Sequence, residues 1–193
     1  TMIRIGLIGD IASGKTLISK YFNFPIFNAD AEVKNIYKRN KQCFKKLNKK
    51  FPKHIFSFPI SKSEIKKIIS KKNIKIISKI VHPYVRQNLR KFLEKNKKNP
   101  YVILDIPLLL ENKLNKKNDI LIFVKISKRN VLKRLKKRGI YDKKIFDILK
   151  SQQLNLKKKA NYAQYFIDNN KNKKNTIKQV KIILNKINDR SSS

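Results

Sequence analysis

The run Gly9-Asp10-Ile11-Ala12-Ser13-Gly14-Lys15-Thr16 constrains the fold of this chain more than any other segment. It matches the pattern G-x-x-x-x-G-K-[ST] of a phosphate-binding P-loop. Residues 3–8 before it are mainly β-favouring, and residues 15–22 after it have helical spacing of apolar side chains. This is the context that a P-loop requires, because its backbone N–H groups must converge on phosphate oxygens at a helix N-terminus. The alternative, a glycine-bearing turn with an incidental Lys-Thr, does not explain the flanking strand and helix.

Each residue type in the loop has a physical role. The two glycines permit backbone angles and close approaches that a side chain would block. Lys15 offers a positive charge to the β- and γ-phosphates of ATP, and Thr16 offers a hydroxyl to Mg²⁺. We therefore predict that ATP is the co-substrate, that Lys15 is also catalytic, and that Thr16 is a metal ligand. The predicted nucleotide-binding residues are Gly9, Ile11, Ala12, Ser13, Gly14, Lys15, Thr16 and Leu17.

The rest of the chain alternates short apolar strands with helices. Further strands are predicted at residues 25–28, 101–105, 120–126 and 165–168, and helices at about 29–39, 128–138, from near Asp142, and at the C-terminus up to about residue 187. Residues 41–99 are mainly helical by pattern, and Ser61-Lys62-Ser63-Glu64 has the form of a capping box. This order predicts an α/β fold of three layers, with a core parallel sheet covered by helices on both faces.

Two carboxylates follow predicted strands. Asp30 comes after the second strand and Asp105 ends the third. Strand ends on the carboxyl side of an open sheet line the ligand crevice, so Asp30 could accept the proton of an attacking hydroxyl and Asp105 could hold Mg²⁺. The alternatives are that Asp30 caps the following helix and that Asp105 makes a capping or turn hydrogen bond.

Arg134 and Arg138 lie four residues apart on one helical face, in a chain that otherwise prefers lysine. A planar guanidinium can make two contacts to a phosphate and stabilise charge on a transferring phosphoryl group. We predict both arginines as catalytic, with solvated helix surface as the alternative.

The composition bears on partners. There are 49 Lys and Arg against 12 Asp and Glu, a formal charge of +37. The excess is lysine spread along the chain rather than one basic stripe, so a solvated lysine-coated surface explains it better than nucleic acid does. A single cysteine, Cys43, fits a reducing compartment, and the N-terminal apolar stretch is too short for a signal sequence or a membrane span. We expect a cytoplasmic protein with no nucleic-acid or membrane partner, either a monomer or a weak homo-oligomer.

Several segments, in order along nearly the whole chain, resemble the dephospho-CoA kinase family. They are residues 9–16, Asn28-Ala29-Asp30, His82-Pro83-x-Val85-Arg86, Asp105-Ile106-Pro107-Leu108-Leu109-x-Glu111, Arg134-x-x-x-Arg138, and a closing segment with Gln152, Gln153, Ala160 and Phe166-Ile167-Asp168-Asn169. The ordered set is specific, although no single piece beyond the P-loop is decisive.

This resemblance implies a fold like that of nucleoside monophosphate kinases, and transfer of the ATP γ-phosphoryl group to the ribose 3′-hydroxyl of dephospho-CoA. It implies a core at about residues 2–40, 100–127 and 160–190, a helical acceptor-binding region at about 41–99, and a lid at about 128–159. Asp30 would be the base for the acceptor hydroxyl. The implied acceptor-binding residues are Asp30, His82, Pro83, Arg86, Pro107, Leu108 and Leu109. Lid closure would exclude water, which competes for the phosphoryl group.

The chain departs from the family pattern at two site positions. Asp10 stands where the family commonly has a second glycine, and Asn28 replaces a frequent aspartate. A carboxylate beside the phosphates could lower nucleotide affinity unless it points away. Two other functions stay open from the sequence: another small-molecule P-loop kinase, such as a nucleoside monophosphate kinase, and a nucleic-acid-binding ATPase.

Overall fold

A computed structural model describes residues 2–137 and 142–191 of the chain. The strands are β1 (Ile3–Gly9), β2 (Ile26–Asn28), β3 (Tyr101–Asp105), β4 (Ile120–Lys125) and β5 (Tyr165–Asp168). The helices are α1 (Lys15–Tyr21), α2 (Ala29–Arg39), α3 (Lys41–Lys50), α4 (Lys62–Ile68), α5 (Asn73–Lys95), α6 (Lys128–Lys137), α7 (Lys143–Ser151), α8 (Leu156–Asn161) and α9 (Lys173–Ser191).

The five strands form one parallel sheet in the order β2-β3-β1-β4-β5. β1 is central, and all of its residues after Ile3 are buried, because helices cover both faces of the sheet. The parallel arrangement brings the carboxyl ends of β1, β2 and β3 to one edge of the sheet, so the loop after β1 lies beside the residues that follow β2 and end β3. The predicted three-layer α/β fold is confirmed.

Two apolar clusters lie on the two faces of the sheet. One packs α1 and α9 against it, with Ile18 and Phe22 from α1 and Val180 and Ile183 from α9. The other packs α2, α3 and α5 against the opposite face, and includes Ile36, Leu47 and Val85. A helix that buries one stripe against a sheet in this way is held mainly by that burial, not by its own propensity.

Most predicted element positions are confirmed. The bounds of α2, β3 and β5 are as predicted, and Ser61 and Glu64 form both hydrogen bonds of a capping box at α4. The C-terminal helix continues to Ser191, beyond the predicted end near residue 187. The six-residue helix α8 was not predicted, since it is too short to show a period. Arg138 and Gly139, at the predicted end of the 128–138 helix, lie outside the described residues.

Within residues 2–137 and 142–191, no helix is both long enough and apolar enough to cross a membrane.

Candidate active site

A cleft of about 480 Å³ opens at the carboxyl edge of the sheet. It brings together residues from five of the sequence motifs, which lie far apart along the chain. Its lining consists of Ile11, Ala12, Gly14, Lys15, Thr16, Leu17, Asp30, Asp105, Pro107, Leu108, Arg134, Leu149 and Gln153. The P-loop forms one wall, and the two carboxylates and the Pro107–Leu108 turn face it.

Both glycines of the P-loop are required by its geometry. Gly9 has φ of 146°, and a Cβ there would come within 2.7 Å of the Val124 carbonyl oxygen on β4. Gly14 has φ of 97°, and a Cβ there would come within 2.9 Å of an Arg134 guanidinium nitrogen and collide with the Asn169 amide. The loop is thus shaped by close neighbours as well as by backbone angles that L side chains disfavour.

Lys15 is buried at the base of the loop, where its ammonium donates to the Asp10 carbonyl oxygen at 2.6 Å. Burial, and then the nearby Lys159 ammonium, lower the pKa of Lys15 to about 8. The carboxylates of Asp105, Asp10 and Asp30 act in the opposite direction without restoring the ordinary value. A phosphate group arriving at the loop would supply the counter-charge that this lysine needs.

Arg134 and Asn169 brace the loop from behind. The Arg134 guanidinium donates to the Ser13 carbonyl oxygen at 2.9 Å and to the Asn169 carbonyl oxygen at 3.0 Å. The Asn169 amide donates to the same Ser13 oxygen at 2.7 Å, and Thr176 on α9 donates to Asn169 at 3.1 Å. These bonds connect the P-loop to α6, β5 and α9. Arg138, the other predicted arginine, lies outside the described residues.

The structure distinguishes the two alternatives for Asp30, a helix cap or a base that faces the cleft. The cap of α2 is Asn28, whose side-chain oxygen accepts from the Ala31 N–H at 2.7 Å. Asp30 lies in the first turn of that helix and lines the cleft. The Asp30 side chain opens to the cleft, but the protein around it removes part of its hydration. This desolvation, and then the nearby Asp105 carboxylate, raise the pKa of Asp30 above the ordinary value. Asn28 therefore caps the helix, and the Asp30 carboxylate is left to line the cleft.

Asp105 is buried, with 3% of its surface exposed, and accepts from the Asn28 amide at 2.6 Å. Asn28 thus caps a helix with its oxygen and holds a carboxylate with its nitrogen. An aspartate at that position could not donate to Asp105 when ionised. Asp105 and Thr16 both line the cleft, so a carboxylate and a hydroxyl face the same space.

A second cavity, of about 120 Å³, adjoins the first and shares Asp30, Pro107 and Leu108 with it. Val33, His82 and Arg86 are also in its lining. A further hollow beside it has about 420 Å³ and includes Lys75, Lys79, His82 and Arg86, which follow one face of α5. Burial, and then Arg86, lower the pKa of His82.

Leu109 and Pro83, which were also predicted to bind the acceptor, are not among the residues that line these cavities. Leu109 is 1% exposed and belongs to the apolar core, so its side chain supports the turn that Pro107 and Leu108 present to the cleft. Pro83 lies inside α5 on an exposed part of the helix, next to His82. The structure brings together His82, Arg86, Pro107 and Leu108 around the cavities, but not these two.

Two ion pairs at the site were not predicted. Lys150 on α7 contacts the Asp10 carboxylate at 2.5 Å. Lys159 on α8, 1% exposed, contacts Glu111 at 2.7 Å, and Glu111 also accepts from the Leu154 N–H at 2.9 Å. No sequence signal could have selected these lysines from the many in the chain. Glu111 and Gln153 were within the quoted motifs but had no assigned role.

Comparison with known proteins adds family information to this geometry. A family model described as dephospho-CoA kinase matches residues 3–175. A dephospho-CoA kinase from Prochlorococcus marinus subsp. pastoris is 35% identical over 191 residues, with 92% of this chain and 94% of that protein covered. One from Wolbachia sp. subsp. Brugia malayi is 32% identical, with 95% and 97% covered. A solved protein from Thermus thermophilus shares the fold, with a TM-score of 0.77, 22% identity, and coverage of 95% and 97%.

Proposed function

The chain belongs to the dephospho-CoA kinase family, and from this membership and the cleft we infer that it transfers the γ-phosphoryl group of ATP to the ribose 3′-hydroxyl of dephospho-CoA, giving CoA and ADP. The observation that carries the inference within the structure is the cleft itself, in which Asp30 faces Lys15 and Thr16 of the P-loop. A phosphoryl donor and a hydroxyl acceptor can meet between these walls.

The nucleotide side is the P-loop. Backbone N–H groups of residues 12–16 would surround the β-phosphate at the N-terminus of α1, and Lys15 would reach the β- and γ-phosphates. In the structure Lys15 donates to loop carbonyl oxygens, so binding of ATP would replace those bonds with charge-assisted ones to phosphate. Arg134, which lines the cleft while bracing the loop, would add positive charge near the transferring group.

The transfer itself needs little covalent chemistry from the protein. The acceptor oxygen bonds to the γ-phosphorus, the bond from that phosphorus to the β,γ-bridging oxygen breaks, and ADP leaves with the electron pair. Asp30 would accept the hydroxyl proton. Its raised pKa suits a base that must take up a proton during the reaction, and its position after β2 directs it into the cleft.

Mg²⁺ would fit the same cleft. Thr16 and Asp105 would supply the hydroxyl and carboxylate that such a site uses, and phosphate oxygens and water would provide the other ligands. Among residues 2–137 and 142–191, no three His, Cys, Asp or Glu side chains cluster to hold a metal by themselves. Bound Mg²⁺ neutralises charge on the β- and γ-phosphates.

The acceptor side is the pair of adjoining cavities. The cavity lined by Val33, Pro107 and Leu108 lies beside Asp30 and would contact part of the acceptor nucleoside, since its volume of about 120 Å³ is too small for all of it. The hollow along α5 offers Lys75, Lys79 and Arg86, which suit the diphosphate of the acceptor. Residues 41–99 would then form the acceptor-binding region, and residues 128–159 the lid.

A substrate panel tests this function. The protein with Mg·ATP is supplied with dephospho-CoA, AMP, CMP or buffer alone, and ADP formation is followed together with the mass of the product. We expect turnover with dephospho-CoA, a gain of one phosphate, and a product identical to authentic CoA. Turnover of a nucleoside monophosphate without turnover of dephospho-CoA would refute the assignment.

A further inference from the structure

The P-loop of this chain contains a carboxylate, Asp10, immediately before the cleft-lining residues Ile11 and Ala12. Asp10 has a side chain only 10% exposed. Its Oδ1 atom accepts from the Ile11 N–H at 2.7 Å, which fixes it within the loop. A buried negative charge beside a triphosphate repels it, and it is costly to bury unless it is paired.

The partner of this carboxylate comes from α7, the helix whose residue Leu149 lines the cleft. The Lys150 ammonium lies 2.5 Å from the same Oδ1 atom, although the two residues are 140 positions apart in the sequence. Lys150 is in the last turn of α7, and its side chain is 40% exposed. The adjacent Leu149 lines the cleft, and Ile148 on the same helix is buried. The pair therefore joins the P-loop to the helix that faces it.

Lys15 cannot serve as the counter-charge in the same way. Its ammonium donates to the Asp10 carbonyl oxygen and not to the carboxylate, and it is needed by the phosphates when ATP is bound. Once Lys15 turns to the nucleotide, Lys150 is the cation that the structure places on the carboxylate.

We propose that Lys150 is a nucleotide-positioning residue: it neutralises Asp10 so that the acidic P-loop accepts a triphosphate, and it thereby couples ATP binding to the docking of α7. Asp10 and Lys150 work as one unit. Removing the charge of either residue alters the electrostatic field at the phosphates. Removing both charges leaves this pair of positions with no net charge, as in the native protein. The proposal rests on the proposed function only in that ATP is the ligand.

A double-mutant cycle on ATP affinity tests the unit. The variants are Lys150→Met, Asp10→Asn and the combination, and the dissociation constant of ATP is measured by calorimetry without any acceptor. Asn keeps an oxygen for the Ile11 N–H but removes the charge. We expect Lys150→Met to weaken ATP binding about tenfold, Asp10→Asn to leave it equal or tighter, and Lys150→Met in the Asp10→Asn background to change it less than about twofold.

Two control variants separate the effect of the Asp10–Lys150 pair from the effect of removing any lysine charge. Lys144→Met removes the same charge from an exposed position of the same helix, and we expect less than a twofold change. Lys150→Arg keeps the charge and should restore affinity. Thermal unfolding shows whether each variant is folded. If Lys150→Met is not, the ATP affinities of Lys150→Arg and Asp10→Asn test the proposal by themselves.

The proposal is overturned if Lys150→Met is equally harmful in the Asp10→Asn background, because Lys150 would then act without Asp10. It is also overturned if Lys150→Met and Lys144→Met have the same effect. Because ATP binding is measured directly, a failure of dephospho-CoA as a substrate would leave this result interpretable.

Discussion

Asn28 and Asp30 show how neighbouring residues divide two tasks. Asn28 caps α2 and donates to Asp105, and this leaves the Asp30 carboxylate directed into the cleft. Because position 28 is an amide, the carboxylates that line this wall within the described part of the chain are Asp30 and Asp105. A third carboxylate would raise the pKa of Asp30 further by like-charge repulsion.

If Asp30 is the base, Asp30→Asn removes proton acceptance without disturbing the P-loop. We expect kcat to fall by about 10²- to 10⁴-fold, with ATP affinity changed less than about twofold. Because the carboxylate must be ionised, kcat/KM of the native enzyme should rise as pH increases through a pKa above the ordinary aspartate value, and this acid limb should be absent from the variant. Steady-state kinetics and ATP calorimetry measure both effects. Loss of ATP binding would instead indicate a role with the metal or the fold.

The lowered pKa of Lys15 predicts a proton linked to nucleotide binding. With a pKa of about 8 in the free protein, close to half of Lys15 is neutral at pH 8. Phosphate favours the charged form, so ATP binding at pH 8 should take up about half a proton, and affinity should decrease as pH rises further. Calorimetry in two buffers of different ionisation enthalpy measures the uptake. Lys15→Arg does not titrate and serves as the control; equal uptake by both proteins would contradict the prediction.

Among the elements, α8 contributes a buried cation that the sequence did not reveal. Lys159 pairs with Glu111 and lies near enough to Lys15 to be the second-largest cause of its lowered pKa. Glu111 also holds the Leu154 N–H, so the pair connects the segment between α7 and α8 to the turn after β3.

Lys159→Met leaves Glu111 buried without its cation, and we expect it to lower the free energy of unfolding by about 3–5 kcal/mol. Adding Glu111→Gln should recover much of that loss. The pKa of Lys15 should rise in both variants, which moves the proton uptake on ATP binding to higher pH. Denaturant unfolding and calorimetry follow the two effects. An uptake unchanged in its pH dependence would show that Lys159 does not act on Lys15.

The face of α5 beside the second cavity carries the proposed diphosphate contacts. Lys79→Met should raise KM for dephospho-CoA about two- to fivefold and leave KM for ATP unchanged, as expected for one partly exposed charge. Lys91→Met, an exposed lysine on the same helix, provides the matched control. An equal rise in KM for both substrates would contradict a role on the acceptor side.

The sequence predicted the helices and strands better than it predicted the long-range ion pairs between them. The bounds of β3 and the capping box of α4 follow from local patterns, because strand burial and helix capping act over a few residues. Local patterns also located Asp30 and Lys15. They could not distinguish Lys150 and Lys159 from the other lysines, since each is selected by a carboxylate many residues away.

On the scale of the whole molecule, the formal charge of +37 surrounds a cleft whose substrates are anions. Long-range attraction should speed their association, and salt screens it over about 10 Å at 0.1 M. We expect KM for ATP to rise several-fold between about 0.05 and 0.5 M KCl, mainly through slower association. Stopped-flow binding of a fluorescent ATP analogue measures the rate, with sucrose at equal viscosity as the control. A rate independent of salt would refute steering.

The brace behind the P-loop has a consequence for how the protein is made. Ser13, near the start of the chain, is held by Asn169, which in turn is held by Thr176. During synthesis the glycine-rich loop leaves the ribosome 156 residues before Asn169, one of its supports. A nascent chain halted before Asn169 would carry the complete nucleotide motif but lack the bonds from Asn169 and Thr176, so we expect it to retain ATP less well than a chain that includes them.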